Sequence, residues 1–188
     1  MLNMKNMNVL ALAGSLRALS YNRLALEGAA LLAPPGMRVE VYPGIGALPL
    51  FNPDLDPATQ APVQRLLAAV EAADALLIAS PEYAHGISGV MKNALDWLVA
   101  METFPGKPVL LINTSPRASH AQAALREVLQ TMSARLLPEC DITLPLQGSR
   151  ADLAALLATP ALRAPLEHGL QALLVQWRSF LEQGLQDE

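Results

Sequence analysis

The sequence predicts an α/β protein in which a five-stranded parallel sheet of order 2-1-3-4-5 is covered by helices on both faces. Three observations lead there. Short apolar runs alternate with stretches of helical spacing through most of the chain. Those runs are apolar throughout, as strands buried on both faces are. The length of 188 residues, with 52% apolar and 16% charged residues, suits a folded core rather than a disordered chain. Residues 1–188 are therefore read as a single domain.

The elements follow in order. Asn8–Ala13 is the first strand, ended by Gly14. A helix over Asn22–Leu32 follows, with Ser20 as its N-cap and Pro34-Pro35-Gly36 as its stop. Arg38–Tyr42 alternates as a second strand. Pro43–Pro57 holds four prolines and two glycines, too long a loop for a plain connector and of the kind that carries function. Pro62–Ala73 is a second helix, with Leu66, Leu67 and Val70 inward, and Ala75–Ala79 the third strand. Gly89–Met101 is a third helix and Pro108–Asn113 the fourth strand. Ala121–Met132 is a fourth helix. A weak fifth strand is expected around Arg135–Ile142, interrupted by Pro138. The tail from Ala151 is helical, broken near Pro160 and Pro165, and ends in a long helix through Trp177.

With strand order 2-1-3-4-5, the order of winding reverses between strands one and three, and a crevice opens at their carboxyl ends. Two segments meet there. Gly14-Ser15-Leu16-Arg17-Ala18-Leu19-Ser20-Tyr21-Asn22 joins strand one to its helix. A helix N-terminus offers unpaired N–H groups and partial positive charge, Ser15, Ser20 and Asn22 add donors, and Arg17 adds a planar fork that suits a phosphate. The turn has neither the Gly-x-Gly-x-x-Gly of a dinucleotide fold nor the Lys-Ser/Thr ending of a P-loop. The second segment begins Ser80-Pro81-Glu82-Tyr83-Ala84-His85-Gly86. Its proline fixes the backbone, the amides of Glu82 and Tyr83 are placed to meet the polar edge of a flat heterocycle, and Tyr83 offers an aromatic face. In the helix after it, Lys92 and Asp96 are spaced to pair, and Trp97 reads as core or subunit contact rather than a ligand stack.

Other classes are excluded or disfavoured. A net charge of −4 gives no reason to expect nucleic acid or an anionic membrane as partner. Cys140 stands alone, so no internal disulfide or thiolate metal cluster is expected, which suits a reducing cytoplasm. No metal ligands are assigned. No apolar stretch is long and unbroken enough for a transmembrane helix. A signal peptide is disfavoured too: only Lys5 precedes the short apolar run, and cleavage after Ala13 would remove the first strand.

Gly-Ser-Leu-Arg-x-x-Ser-x-Asn after the first strand, with Pro-Glu-Tyr-x-x-x-x-x-Gly-x-x-Lys-Asn-x-x-Asp-Trp after the third, resembles the NAD(P)H-dependent FMN reductases, the flavodoxin-like group that includes chromate, quinone and azo-dye reductases. The likeness extends to about residue 180, and Leu48-Pro49-Leu50-Phe51-Asn52-Pro53-Asp54 resembles the family's loop after strand two, which borders the active site. The resemblance implies a flavodoxin-like three-layer sandwich. It implies FMN as cofactor and NADPH or NADH as reductant, with a quinone, flavin, azo compound or metal oxyanion as acceptor. By the same resemblance Ser15, Arg17, Ser20 and Asn22 would hold the FMN phosphate, with Leu16 among the cofactor-binding residues of that turn; Pro81, Glu82 and Tyr83 would line the isoalloxazine, and Thr114 and Ser115 would approach its other polar edge. Asn52, Asp54 and His85 are the candidates for substrate contact. A homodimer or homotetramer is expected. No general acid or base is named, because the flavin carries the chemistry. A flavodoxin-type electron carrier, or a flavin-binding sensor without useful turnover, is the alternative.

Three positions depart from the family's usual pattern. Ala84 stands where members often have Asn, and Ser88 where they often have Pro. The turn after strand four, Thr114–His120, has no glycine where members are glycine-rich, so side chains are expected to narrow the site there.

Overall fold

The computed structural model describes residues 6–117 and 119–184; Lys5 of the signal argument and Ala118 of the glycine-free turn lie outside them. In chain order the elements are β1 (Met7–Ala13), α1 (Tyr21–Leu31), β2 (Met37–Val41), α2 (Ala61–Ala72), β3 (Ala75–Ala79), β4 (Glu82–Tyr83), β5 (Gly86–Ile87), α3 (Gly89–Leu98), β6 (Pro108–Asn113), α4 (Ser119–Thr131), β7 (Arg135–Leu136), β8 (Ile142–Thr143), α5 (Leu153–Ala158) and α6 (Pro160–Gly184). The main sheet runs β2-β1-β3-β6-β7, with β8 also paired to β6, and all its pairings are parallel.

Strand residues divide by parity, as the pleat requires. Val9, Ala11, Ala75, Leu77, Leu110 and Ile112 pack with α1 and α6 on one face. Leu10, Leu12, Leu76, Ile78, Val109 and Leu111 pack with α2, α3 and α4 on the other. Because both parities are buried, the strands read as unbroken apolar runs.

The fifth strand is split, as Pro138 foretells. β7 pairs Pro108↔Arg135 and Val109↔Leu136, β8 pairs Ile112↔Ile142 and Asn113↔Thr143, and a 3₁₀ turn over Pro138–Cys140 lies between. Leu111 pairs with Ile78 of β3 on one side, but the detour leaves it no strand partner on the other, where its N–H donates instead to Asp141 Oδ1 at 2.8 Å. Arg126 of α4 pairs with the other Asp141 oxygen. Burial raises the Asp141 pKa, opposed by those two partners.

The tail differs from expectation at one point. The chain breaks before Pro160, but Pro165 lies inside the continuous helix α6. A proline there forfeits one backbone hydrogen bond. The helix persists because Leu166, Leu170, Leu173, Leu174 and Trp177 beyond it are buried against the sheet. The other unforeseen element is the β4–β5 hairpin, in which Glu82 pairs with Ile87 and Tyr83 with Gly86. Its two turn residues, Ala84 and His85, have φ of 49° and 59°, a conformation that costs any residue with a Cβ.

Candidate functional site

β1 and β3 end side by side. The Gly14 N–H donates to Ala79 O at 2.8 Å, and a Cβ on Gly14 would lie 2.5 Å from Ser80 Oγ. Only glycine fits that approach, which brings the two following turns to one place. Between them and the end of β6 lies a cleft of about 410 Å³, within the range of small-molecule sites.

Its walls are polar in a way the rest of the interior is not. Among the described residues, the buried polar side chains are Ser15, Ser20, Asn22, Ser80, Ser88 and Thr114. All but Ser88 line this cleft, and Ser88 Oγ lies 3.3 Å from Ser80 Oγ. Burying polar groups is costly unless they have partners, so such a concentration marks a place kept for a polar ligand.

Ser20 caps α1, its Oγ accepting from Arg23 N at 3.3 Å. Ser15 Oγ accepts from Arg17 N at 3.4 Å, which curls the turn and leaves the hydroxyl proton to donate. Thr114 Oγ1 donates to Asn22 Oδ1 at 3.0 Å, so the residue just past β6 fixes the orientation of an amide on α1 and leaves its Nδ2 as a donor. The Arg17 side chain stands exposed at the rim and has no ion-pair partner among the described residues. Leu16 is the exception in this turn. Its side chain, 60% exposed, lies outside the cleft and beside Gly46 of the long loop after β2.

Pro81, Glu82 and Tyr83 form the second wall. The Glu82 side chain is committed elsewhere: Oε2 accepts from Ala121 N at 2.9 Å, capping α4. Its backbone is what remains for a ligand. Tyr83 is half exposed at the mouth. Ser88, in the place of the more usual proline, caps α3 by accepting from Met91 N at 3.3 Å.

Thr114 and Ser115 line the third wall, joined by Asn113, Arg117 and Gln147. The Ser115 hydroxyl donates to Gln147 Oε1. No described residue between 114 and 120 has a positive φ, so the turn needs no glycine for its backbone, and side chains do line the site.

The substrate candidates are not brought together. Asn52 and Asp54 are exposed and outside the cleft, where Asn52 Oδ1 accepts from Asp54 N at 3.0 Å in a local turn. His85 is also outside it. Its Nδ1 lies 3.5 Å from Glu82 Oε1, and its ring meets His120 edge-on with centroids 4.6 Å apart. The loop carrying Asn52 is held by the third helix. Asn93 Nδ2 and Trp97 Nε1 both donate to Pro49 O, at 3.0 and 2.9 Å, and Asn93 Oδ1 accepts from Phe51 N at 2.7 Å. Trp97 is thus core, and the Lys92–Asp96 pair forms at 2.5 Å.

Sequence reasoning missed Leu19, Tyr21, Ser80, Asn113, Arg117 and Gln147 as lining residues. Ser80 and Arg117 stand inside the motif turns and were open to assignment. Gln147 reaches the site only through the contact of the segment after β8 with Thr114.

Residues 7–147 match the family model for NADPH-dependent FMN reductases. The chain belongs to that family. It is 35% identical over 174 residues to an NAD(P)H-dependent FMN reductase of Pseudomonas aeruginosa, covering 89% of this chain and 94% of that one. A quinone reductase of Escherichia coli is 33% identical over 143 residues, 71% of this chain and 74% of its own. Among solved structures, the flavoenzyme NAD(P)H:(acceptor) oxidoreductase FerB of Paracoccus denitrificans superposes with a TM-score of 0.70 at 26% identity, over 94% of this chain and 98% of that one. The protein is therefore an oxidoreductase of flavodoxin-like fold, and the family's cofactors are FMN and NAD(P)H. The donor set fits FMN: a helix N-terminus with buried hydroxyls and an arginine for the phosphate, and a cleft of sufficient volume for the ring. Among the described residues no group of three His, Cys, Asp or Glu side chains is arranged to hold a metal ion, and no helix is long and apolar enough to cross a membrane.

Proposed function

We propose that this reductase takes electrons from NADPH or NADH through FMN held across the ends of β1 and β3, and delivers them to a small oxidised acceptor. The observation that carries the reading is the concentration of buried polar side chains around one cleft at the topological switch point. When bound, FMN supplies the hydride chemistry.

The protein's part is to bind and orient. Ser15, Ser20, Asn22 and Arg17 are assigned to the phosphate, with the N–H groups at the start of α1. The Pro81–Tyr83 backbone is assigned to one edge of the isoalloxazine, and Thr114, Ser115 and Gln147 to the other. Leu16 is proposed to act at one remove, by holding the loop after β2. Asn52, Asp54 and His85 remain candidates for acceptor contact only if a bound acceptor extends beyond the cleft described above. The opening beside half-exposed Tyr83 is assigned to donor and acceptor in turn, so ping-pong kinetics are expected.

The name of the Escherichia coli relative makes a quinone the first acceptor to test; flavins, azo compounds and metal oxyanions follow. Exposed Leu50, Phe51 and Val99 support a homodimer or homotetramer, which light scattering would reveal as a multiple of the chain mass. The lone buried thiol and the dependence on NAD(P)H support a cytoplasmic setting.

The test is anaerobic mixing of FMN-loaded protein with NADPH or NADH, followed by benzoquinone. The visible flavin absorbance should bleach with at least one nicotinamide and return on adding quinone. Absorbance unchanged by both nicotinamides refutes the reading.

A further inference from the structure

A second cavity, of about 590 Å³, lies beside the first. It is a groove between the first two turns of α1 and the segment leading into α5. The two cavities share Arg17, Leu19, Ser20 and Tyr21, so they meet at the turn assigned to the phosphate. Leu19, 89% exposed, forms the lip between them.

The groove's charges are unequally committed. Glu27 pairs with Arg23 at 2.7 Å. Asp152 caps α5, its Oδ1 accepting from Ala155 N at 2.8 Å. Both acidic groups of the groove are thereby occupied. The guanidiniums of Arg17 and Arg150 have no ion-pair partner among the described residues. Arg150 is also held in place: its N–H donates to the Tyr21 hydroxyl at 3.1 Å, and its φ is 55°. Leu24 and Leu153 give the groove an apolar lining, and Tyr21 borders it.

Two arginines without an ion-pair partner among the described residues, at the head of a partly apolar groove, suit a phosphorylated nucleoside. Its continuity with the phosphate end of the first cavity identifies which one. The geometry points to this groove as a site for the adenylate half of FAD, so that the chain binds FAD as well as FMN. This rests on the assignment of the flavin phosphate to Ser15–Asn22. Arg17 then meets the phosphate common to both flavins, Arg150 meets the phosphate that only FAD carries, and the adenosine lies along Leu24 and Leu153.

The test titrates the full chain, freed of flavin, with FMN and with FAD, read by isothermal titration calorimetry. FAD should bind at least as tightly as FMN. Arg150→Gly removes the guanidinium at a backbone angle glycine favours. It should weaken FAD about tenfold and leave FMN within about twofold, and Arg150→Lys should recover part of the loss. FAD binding more than about tenfold weaker than FMN in the unaltered protein overturns the inference, as does an Arg150→Gly variant that changes both flavins alike. An adenylate site can also serve NADPH. If Arg150→Gly raises the KM for NADPH and leaves FAD affinity unmoved, the groove belongs to the nicotinamide substrate and the FAD assignment is wrong. Binding of neither flavin refutes the flavin site itself and this inference with it, whereas FMN binding with FAD excluded refutes the groove alone.

Discussion

Replacing Arg17 by alanine should weaken FMN binding and leave riboflavin binding unchanged. Arg17 lines the cleft from an exposed position, free of any ion-pair partner among the described residues. A hydrogen bond to a charged group contributes about 1.5–3 kcal/mol. At an exposed rim, solvent and salt screen the charge, which places Arg17 at the low end. A loss of about 1.5 kcal/mol is roughly tenfold in Kd. The neighbouring Arg117, also on the cleft, can take over part of the interaction and keeps the loss from growing larger. Fluorescence titration at low and high salt reads both parts of the argument. The unaltered protein should lose FMN affinity as salt rises, and Arg17→Ala should lose less, having one charge fewer to screen. Riboflavin, which lacks the phosphate, should bind both proteins alike. An unchanged FMN Kd, or an equal loss for FMN and riboflavin, would sink the phosphate assignment.

Other outcomes are open to measurement. Ala84→Gly should raise stability by about 0.5–1 kcal/mol in a denaturant melt, because Ala84 holds a φ of 49° that a Cβ disfavours; a lower midpoint would show that the alanine packs usefully. Asp141→Ala should cost about 2–4 kcal/mol in urea, since it strands the Leu111 N–H and leaves the Arg126 charge uncompensated. Asp141→Asn, which keeps the carbonyl acceptor, should cost clearly less, and equal losses would refute this account of the split strand. Cys140 is 1% exposed. Burial, with Glu139 and Asp141 nearby, pushes its thiol from 9.0 up to about 11. At pH 8 the native protein should hold about a hundredfold less thiolate than a free cysteine and react with a disulfide reagent only after denaturation. Because the folded pKa is the higher one, the thiol's contribution to stability is complete below pH 9.0 and is lost as pH rises through about 11. A native thiol that reacts at the free rate would contradict both statements.

The sheet and its order were legible because β1, β3 and β6 are apolar on both faces, so their runs stand out however the helices pack. From that order the crevice followed, and from the crevice the meeting of Ser15–Asn22 with Pro81–Tyr83. The β4–β5 hairpin was not legible, since Ala84-His85 carries none of the chemistry that normally marks two successive positive φ angles. Pro165 misled because the local cost of a proline was outweighed by burial of five large side chains farther along α6. The motif at Lys92–Trp97 was visible, but its work was not. Asn93 and Trp97 hold the loop after β2 through Pro49 and Phe51, contacts separated by more than 40 residues in sequence. Gln147 likewise joins the cleft through a contact distant in sequence, with the Ser115 hydroxyl in the turn after β6. Glu82 lay within a recognisable motif, yet its carboxylate turns away to cap α4. Spacing identifies which backbone lines a site, and only packing decides where each side chain goes.

The central claim is that one FMN spans the two turns, phosphate at the start of α1 and ring beside Pro81–Tyr83. A crystal structure of the FMN-bound protein tests it most directly. The phosphate should lie within hydrogen-bond distance of Ser15, Ser20 and Asn22, and the polar edge of the ring should face the Glu82 and Tyr83 amides. A phosphate bound elsewhere, or a ring seated away from Pro81–Tyr83, would contradict it.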